Sequence, residues 1–541
     1  MNRLLLNAKV YLNRDDFAEA VYISDGLIKD IGKSRELIRK YPGIEQLDCG
    51  GHTLIPGFND SHLHFMQTGE TMNQVAIDDV SSIDELITRC REFMAENPQR
   101  VKNGIHAIGW NQDLFTDSSR RIPDRHDLDL ISTEIPIVLE RVCGHIVSSN
   151  TKVIEILGLD AHSPQFPDGE YLREPDGYPS GVYTGNACNF AKDVIPDFSM
   201  EERRKMILET MKLAVSYGLT SVQSNDVGTT FMDGPAAFAM YKDIYDSGEA
   251  LLRFRHQVCF NNLDDFKTYV TEGEFAQDSG DKDSWLSLGP LKLFKDGSLG
   301  ARTALMRSEY LDDPGNFGRE WIKSEDMAEY CRFAEEHGIQ VITHVIGDKA
   351  IEETIKCYEE AFGDRGNLRR HTLVHCQITD EALLERIANS EICVMAQPIF
   401  LDYDMNVVES RCGEALSSTS YAFKSLKDKG VHVAYGTDAP VEFFDPFANI
   451  YMAVTRKDKK GSPSGGFYPA EAVDIYEAVD AYTYESAYLE FMEDRKGRIK
   501  EGYYADLVLL DEDIFTIDPM RIKDVRPLMT IVGGKTVYKK A

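Results

Sequence analysis

Gly57-Phe58-Asn59-Asp60-Ser61-His62-Leu63-His64 follows directly on an extended apolar run that starts at Thr53. Two histidines at i and i+2 on an extended chain project from one face, so both imidazoles can reach a single metal ion. Such a pair also arises by chance, and its weight comes from what stands around it. Further along, short β-branched runs end in His344 (Val-Ile-Thr-His), in His375 (Leu-Val-His) and in Gly436-Thr437-Asp438-Ala439-Pro440. With 53–58 taken as the first, the strand-like runs are 53–58, 219–223, 252–258, 291–294, 340–344, 372–376, 392–396 and 432–436. Helix-like segments alternate with them, and several close on a glycine at the C-cap position: 201–217 before Gly218, 324–337 before Gly338, 420–429 before Gly430. Helix, glycine, buried strand is the rhythm of a parallel sheet. Eight such units predict an α/β fold, a (β/α)8 TIM-like barrel, over an open doubly wound sheet.

One step is too long. The first and second strands are separated by about 160 residues, where a βαβ unit needs about 30. Residues 70–200 are therefore expected to form a large insertion after the first barrel strand, a lid-like subdomain on the face where βα loops emerge. It carries strand-like pieces at 106–109 and 135–141, a helix from Asp84 to Glu96, and Pro/Gly-rich turns at 164–181. The two chain ends resemble each other: short strands at 3–12, 20–24 and 45–55, then at 506–511 and 529–538, the last with a Gly533-Gly534 hairpin signal. Each end has too few strands to bury a face alone. Packed together they predict a small β-sandwich domain. The expected organisation is 1–52 with 495–541 as that composite domain, 53–69 with 201–494 as the barrel, and 70–200 as the insertion.

Composition narrows the partners. The 541 residues are 43% hydrophobic and 28% charged, an ordinary globular balance, and 59 Lys+Arg against 90 Asp+Glu leave a net charge of −31. A field of that sign repels phosphate backbones and anionic lipid, so nucleic acid and membrane surfaces are poor candidates. The ten cysteines are scattered without a Cys-x-x-Cys pair, which indicates neither a disulfide framework nor a thiolate zinc site. The opening apolar run is too short for a signal peptide, and no stretch approaches the roughly 18 apolar residues of a membrane span. The expectation is a cytoplasmic protein, a homodimer, with a small-molecule substrate as its partner.

The polar residues at strand ends carry the chemistry. His62, His64, His344, His375 and Asp438 would all converge on the barrel mouth, where barrel enzymes hold their catalytic groups. Imidazole nitrogens and carboxylate oxygens are ligands for zinc or manganese. The sequence lacks a Gly-x-x-x-x-Gly-Lys-Ser/Thr loop, a Gly-x-Gly-x-x-Gly, a Gly-x-Ser-x-Gly elbow and a His-Glu-x-x-His. Asp296-Gly-Ser-Leu-Gly300 lacks the spacing of a phosphate cradle and reads as a shaped loop.

These blocks together with Lys292-Leu-Phe-Lys295-Asp296-Gly-Ser-Leu-Gly-Ala-Arg302-Thr-Ala304 resemble the amidohydrolase superfamily, and within it the amidohydrolase-3 group of YtcJ-like and N-substituted formamide deformylase-like proteins. The likeness extends over nearly the whole chain, including Ala505-Asp-Leu-Val-Leu-Leu510, Gly109-Trp110-Asn-Gln-Asp113 and Arg141-Val-Cys-Gly-His145. It implies that His62, His64, His344 and His375 ligate one or two divalent ions, zinc foremost, and that Asp438 is both ligand and proton carrier. It also implies a carboxylated lysine bridging two ions from the fourth strand. Lys292 and Lys295 both stand there, on opposite faces by alternation; Lys292 aligns with the lysine usual in the group, and the plain alternative is a lysine paired with Asp296 or another acid. Lys295 is expected to point away, toward a surface acid. Trp110, His145, Asp296 and Arg302 are candidate substrate contacts. Set against that role, Trp110 could be core, His145 a capped turn residue, and Arg302 the partner of an aspartate.

The implied reaction is hydrolysis of a carbon–nitrogen bond other than a peptide bond: a formamide, an N-acyl amine or a cyclic amide. Asp438 would take a proton from the attacking water and hand it to the leaving amine. The rivals are an esterase or lactonase on the same site, a heterocycle deaminase, and a scaffold that kept the fold without the chemistry. The deaminase would need a glutamate near His344-Val-Ile-Gly-Asp348 that is not there. The scaffold would be expected to have lost ligands, and none is missing.

Overall fold

The computed structural model describes residues 2–116, 120–142, 145–228, 234–278 and 280–540. Two compact units make up the chain, Met1–Gln67 with Ile207–Ala541, and Thr68–Met206.

In the first unit eight parallel strands run β1 (Phe58–Leu63), β2 (Leu219–Val227), β3 (Arg253–Val258), β4 (Leu286–Phe294), β5 (Val341–Val345), β6 (Thr372–His375), β7 (Cys393–Ala396) and β8 (Val433–Tyr435), each hydrogen-bonded to the next. Most are almost wholly buried, and β5 and β6 are also short and rich in β-branched residues, as suits strands of a two-sided parallel sheet. The helices leave toward them through left-handed glycines such as Gly218 and Gly338. Just beyond β1 and β8 the sheet closes on itself. Asp438 N–H donates to His62 O (2.8 Å) and His64 N–H donates to Ala439 O (2.7 Å). The (β/α)8 expectation holds.

Three strands differ from expectation by several residues, the simplest being β2, which runs on to Val227 where 223 was expected. The run 53–58 is not one strand: Thr53–Pro56 pairs with Lys9–Asn13 and Leu507–Leu510 outside the barrel, and the barrel strand starts at Phe58 and carries on through His62 to Leu63, directly before His64. Gly57 is the joint. A Cβ there would lie 2.1 Å from Thr220 Oγ1 on β2, so the chain passes too close to its neighbour for any side chain. β4 begins at Leu286, before the expected 291, because Gly289-Pro290 looks like a strand breaker yet lies inside the strand. Proline is tolerated where its missing N–H is not needed by the ladder.

The chain ends form two sheets. One has four strands, Asn2–Leu6, Ala20–Ser24, Leu27–Gly32 and Glu45–Asp48; the other has six, Lys9–Asn13, Asp16–Ala18, Thr53–Pro56, Leu507–Leu510, Pro527–Val532 and Lys535–Lys539. A single apolar cluster joins Leu5, Val21 and Ile28 of the first to Val10, Leu54, Leu507 and Ile531 of the second. The tail strand Leu507–Leu510 lies between Thr53–Pro56 and Pro527–Val532, so the six-stranded sheet needs both ends of the chain, while the four-stranded one is built from the first 48 residues alone.

The second unit has a five-stranded sheet in the order Gly169–Arg173, Pro179–Gly185, Ile146–Ser149, Ile137–Arg141, Ile105–Trp110. The helix Ile83–Glu96 packs one face through Leu86, Ile87 and Cys90. Residues 164–181, expected to be turns, include parts of both strands of an antiparallel hairpin. The glycine and proline signal there belongs to its connection, where Gly177 takes a left-handed φ of 89°. The nine described cysteines are all unpaired thiols, and Cys143 lies outside the described residues. Among the described residues no helix is long and apolar enough to cross a membrane.

Candidate metal centre

His62 lies near the end of β1 and His64 just past it, His344 is the fourth of the five residues of β5, His375 ends β6, and Asp438 follows β8. Ligand atoms of His62, His375 and Asp438 lie within 4.8 Å of one another. Asp438 Oδ1 is 3.4 Å from His62 Nε2 and 3.3 Å from His64 Nε2. The His344 and His375 rings are 4.5 Å apart between centroids, and His62 and His375 are 5.9 Å apart. All five residues expected at the mouth are thus gathered in one cluster.

Each imidazole is held from behind by an oxygen. His62 Nδ1 donates to Gln257 Oε1 (2.5 Å), His64 Nδ1 to the Asn225 carbonyl (3.0 Å), His375 Nδ1 to Gln397 Oε1 (2.7 Å) and His344 Nε2 to the Gly297 carbonyl (2.9 Å). The Gln257 amide is oriented in turn, since its Nε2 donates to Ser61 O (2.9 Å). Carbonyl oxygens only accept, so each of these ring nitrogens carries a proton. Burial pushes His62 and His344 well below the usual imidazole range and His375 down to about 4. Burial pushes Asp438 up, but the imidazoles of His64, His375 and His62 outweigh it and hold the carboxyl well below the usual carboxylate range.

The donor chemistry then fits a cation. His62 Nε2 and His64 Nε2 converge at 3.4 and 3.3 Å on Asp438 Oδ1, a buried carboxylate oxygen with no hydrogen-bond partner among the described residues, and nitrogen and oxygen donors so arranged suit a divalent ion. Strain points the same way: His375 and Asp438 hold left-handed φ values of 73° and 57°, uncommon for residues with a side chain and found where the surrounding structure over-determines a site.

The two lysines of β4 separate cleanly. Lys292 is fully buried, with Nζ 3.0 Å from His62 Nε2, and among the described residues no carboxylate lies within ion-pair distance of it. Burial pushes its ammonium down to about 8. Lys295 points the other way and corrects the expectation of a surface pair: its side chain is wholly buried, bound to Glu320 (2.6 Å), Glu353 (2.8 Å), Ser324 Oγ (2.8 Å) and the Ile322 carbonyl (3.1 Å). These partners come from the loop after β4 and from the two helices Ser324–Glu336 and Asp348–Phe362, which the sequence around Lys295 does not announce.

The amidohydrolase family model, Amidohydro_3, matches residues 45–538. The chain belongs to the amidohydrolase family. Over 535 residues it is 31% identical to the putative amidohydrolase YtcJ of Bacillus subtilis (strain 168), with 98% of each chain covered. It is 24% identical to the N-substituted formamide deformylase of Arthrobacter pascens over 553 residues, covering 99% of this chain and 98% of that one. Among solved structures it resembles an uncharacterized metal-dependent hydrolase from Pyrococcus furiosus with a TM-score of 0.76 at 26% identity, covering 95% of this chain and 100% of that one. The protein is a hydrolase of the amidohydrolase superfamily, in the YtcJ-like group that its motifs resemble.

Within this amidohydrolase the remaining candidates have definite surroundings. Asp296 is buried with both oxygens engaged: Oδ2 accepts from Leu305 N–H (2.9 Å) and Gly347 N–H (2.8 Å), Oδ1 from Ile346 N–H (3.0 Å), and Oδ1 lies 3.7 Å from His344 Nε2. Burial pushes its pKa up to about 7 against those backbone donors. Arg302 grips Asp312 through both ends of its guanidinium, at 3.0 and 2.8 Å. Trp110 is fully buried in the core of the second unit, its indole N–H donating to the Leu139 carbonyl (3.0 Å). His145 is exposed just before Ile146–Ser149, the middle strand of that unit's sheet.

Sequence reasoning passed over Gln257 and Gln397, whose amides carry no charge signal, although each stands at or just past the end of a barrel strand as the ligands do. It also passed over Asp60, which is fully buried and ties β1 to β8 by accepting from Thr437 Oγ1 (2.7 Å) and Thr437 N–H (3.2 Å). Two aromatic rings lie parallel to ligand-candidate imidazoles, Trp321 to His344 at 3° and Phe400 to His375 at 16°.

Proposed function

We propose that this amidohydrolase cleaves a carbon–nitrogen bond other than a peptide bond, in a formamide, an N-acyl amine or a cyclic amide, with one or two divalent ions held by His62, His64, His344, His375 and Asp438. The observation that carries the reading is the uniform fixing of the four imidazoles: each outer nitrogen is committed to a carbonyl oxygen, and three of the inner ones meet the Asp438 side of the cluster. Ligating histidines are held from behind in this way. Near-complete alignment with the N-substituted formamide deformylase of Arthrobacter pascens supports the bond class.

When bound, a divalent ion such as zinc lowers the pKa of water from about 15.7 to about 7 and polarises a carbonyl oxygen. The chain does the rest. Asp438, kept as a carboxylate by its imidazole neighbours, takes the proton of the attacking water at a carboxylate oxygen and delivers it to the departing nitrogen. Gln257, Gln397 and the Asn225 and Gly297 carbonyls keep the imidazoles in one tautomer while this happens. Lys292, fully buried beside His62 and without an acid partner among the described residues, would, as a carbamate formed from its neutral amine and carbon dioxide with release of one proton, add a carboxylate to the groups that hold the metal.

The test is metal analysis of the purified protein followed by chelation, metal return and a hydrolysis screen. Formamides, N-acyl amines and cyclic amides are run beside esters, lactones and dipeptides. Activity on the first set, abolished by chelation and restored by zinc or manganese, supports the reading. Turnover that survives exhaustive chelation, or that falls only on esters or peptides, overturns it.

A further inference from the structure

At the end of the barrel opposite His62 a second cavity of about 160 Å³ lies among the first residues of β2, β3 and β4 and the segment 490–496. It is close to the roughly 150 Å³ that accommodates a benzene ring in an apolar cavity. Four cationic side chains line it, and two of them are spoken for. Arg253 binds Asp506 (2.7 Å), and Lys496 binds Glu490 (2.7 Å) and Ser221 Oγ (2.6 Å); Glu490 also takes the Asn59 amide (2.6 Å). Lys282 stands exposed at the opening with Asp278 and Asp281.

Arg255 is different. It is 9% exposed, its Nη2 reaches only Gln340 Oε1 at 3.5 Å, and its Nη1 is buried without a hydrogen-bond partner among the described residues. Room for this guanidinium is built into the facing strand: a Cβ on Gly289 of β4 would stand 2.8 Å from Arg255 Nε. A buried guanidinium whose one acceptor is 3.5 Å away is undersatisfied, and its natural complement is an oxyanion. Phe254, Trp285, Leu288, Phe491 and Met492 give the wall its apolar part, beside Ser221, Ser284 and Ser287. One cationic anchor, a partly apolar wall and acids at the rim favour a single negative charge on a short hydrocarbon body over a multiply charged ion.

We propose that this cavity is a binding site for a small monocarboxylate, about the size of propionate or butyrate, seated on Arg255. The site is separate from the metal cluster and does not depend on the reaction proposed there.

The chain has three tryptophans, Trp110, Trp285 and Trp321. Trp285 lines this cavity, Trp321 is stacked parallel to His344, and Trp110 is in the core of the other unit. Incorporation of 5-fluorotryptophan into the full-length, metal-loaded protein therefore gives three fluorine resonances that report three places. Sodium propionate titrated at constant ionic strength is expected to move the Trp285 resonance saturably, with uncharged propionamide leaving it in place. Arg255→Gln is expected to weaken that saturation by about tenfold or more, the loss of a charged hydrogen bond. Ser287→Phe, at a half-exposed lining position away from the guanidinium, is expected to weaken it by narrowing the space, and it keeps the proposal testable where Arg255→Gln does not fold. Movement of Trp321 alone would mean a carboxylate at the metal cluster only and would overturn the proposal. So would inorganic phosphate saturating Trp285 where propionate does not, or an unchanged propionate curve in both variants.

Discussion

Gln257→Leu is the substitution that most directly tests the metal centre without touching a ligand. Gln257 is fully buried, its Oε1 takes the His62 Nδ1 proton at 2.5 Å, and its Nε2 serves the Ser61 carbonyl at 2.9 Å. Leucine has nearly the same volume, so packing is kept while both bonds go. A buried donor left without an acceptor costs about 1–3 kcal/mol. That cost is present with and without metal, and it lowers stability by that amount. A second effect appears only on metal binding: the imidazole is free to take the wrong tautomer or to rotate, and its inner nitrogen is less basic. Loss of such a supporting contact weakens metal binding by about 10–100-fold, or about 1.4–2.7 kcal/mol. The assay is competition against a chelator of known affinity, with the metal-to-protein ratio followed at each step and unfolding measured on the metal-free form. Gln257→Glu, which restores an acceptor, should return the affinity to at least that of the parent. A Gln257→Leu protein that folds normally and holds its metal within about twofold of the parent would show that His62 is not a ligand through Nε2, and the reading of the four imidazoles would fail with it.

Three further expectations follow from the same geometry. Lys292→Ala should lose one metal equivalent and slow turnover by about 10²-fold or more with little change in folding, read from metal stoichiometry and steady-state rates; a silent variant would remove the carbamate bridge. Lys295→Ala should leave the rate per folded molecule near the parent's while lowering stability by about 2–3 kcal/mol in urea unfolding. This is below the usual cost of orphaning a buried pair, because Glu320 and Glu353 are 35% and 27% exposed and can regain water. His256, buried between Phe238, Tyr241 and Phe254 with neither ring nitrogen bonded, is pushed by burial down to about 3. The folded protein then binds fewer protons than the unfolded chain below about pH 6.5, so stability falls as pH drops from there toward 3. His256→Phe should spare about 2 kcal/mol of that fall between pH 6.5 and 5, and equal slopes for parent and variant in urea unfolding at the two pH values would refute it.

What the sequence made legible was periodic or terminal. β5 reads as Val-Ile-Thr-His, and β-branched residues with a polar tip describe both how the segment packs and what it holds at its end. The same logic reached His375 and Asp438. It failed where structure depends on a neighbour in space. Gly57 divides one apolar run into two strands because Thr220 stands 2.1 Å from where its Cβ would be, and nothing within 53–58 says so. Gly289-Pro290 hid half of β4 for the opposite reason, a local breaker overruled by pairing with β3. Lys295 looked like a surface lysine because its acids lie 25 and 58 positions away, at Glu320 and Glu353.

Closure of the barrel and assembly of the cluster are one event. The bonds that join the first strand to the last, Asp438 N–H to His62 O and His64 N–H to Ala439 O, are made by the candidate ligands' own backbone, and Asp60 adds two more bonds to Thr437 beside them. The left-handed backbone at Asp438 is affordable only while those bonds hold its neighbours in place. A chain whose barrel opened between β1 and β8 would therefore lose two histidines and the carboxylate from the cluster together, and would relax the strain that aims Asp438. The ligands are spread over strands far apart in the chain, yet they share the hydrogen bonds that make the fold a closed one. For that reason the fold could be read from the strands alone, whereas the site needed the closure: His62-Leu-His64 is an ordinary pair of histidines until the eighth strand arrives beside it.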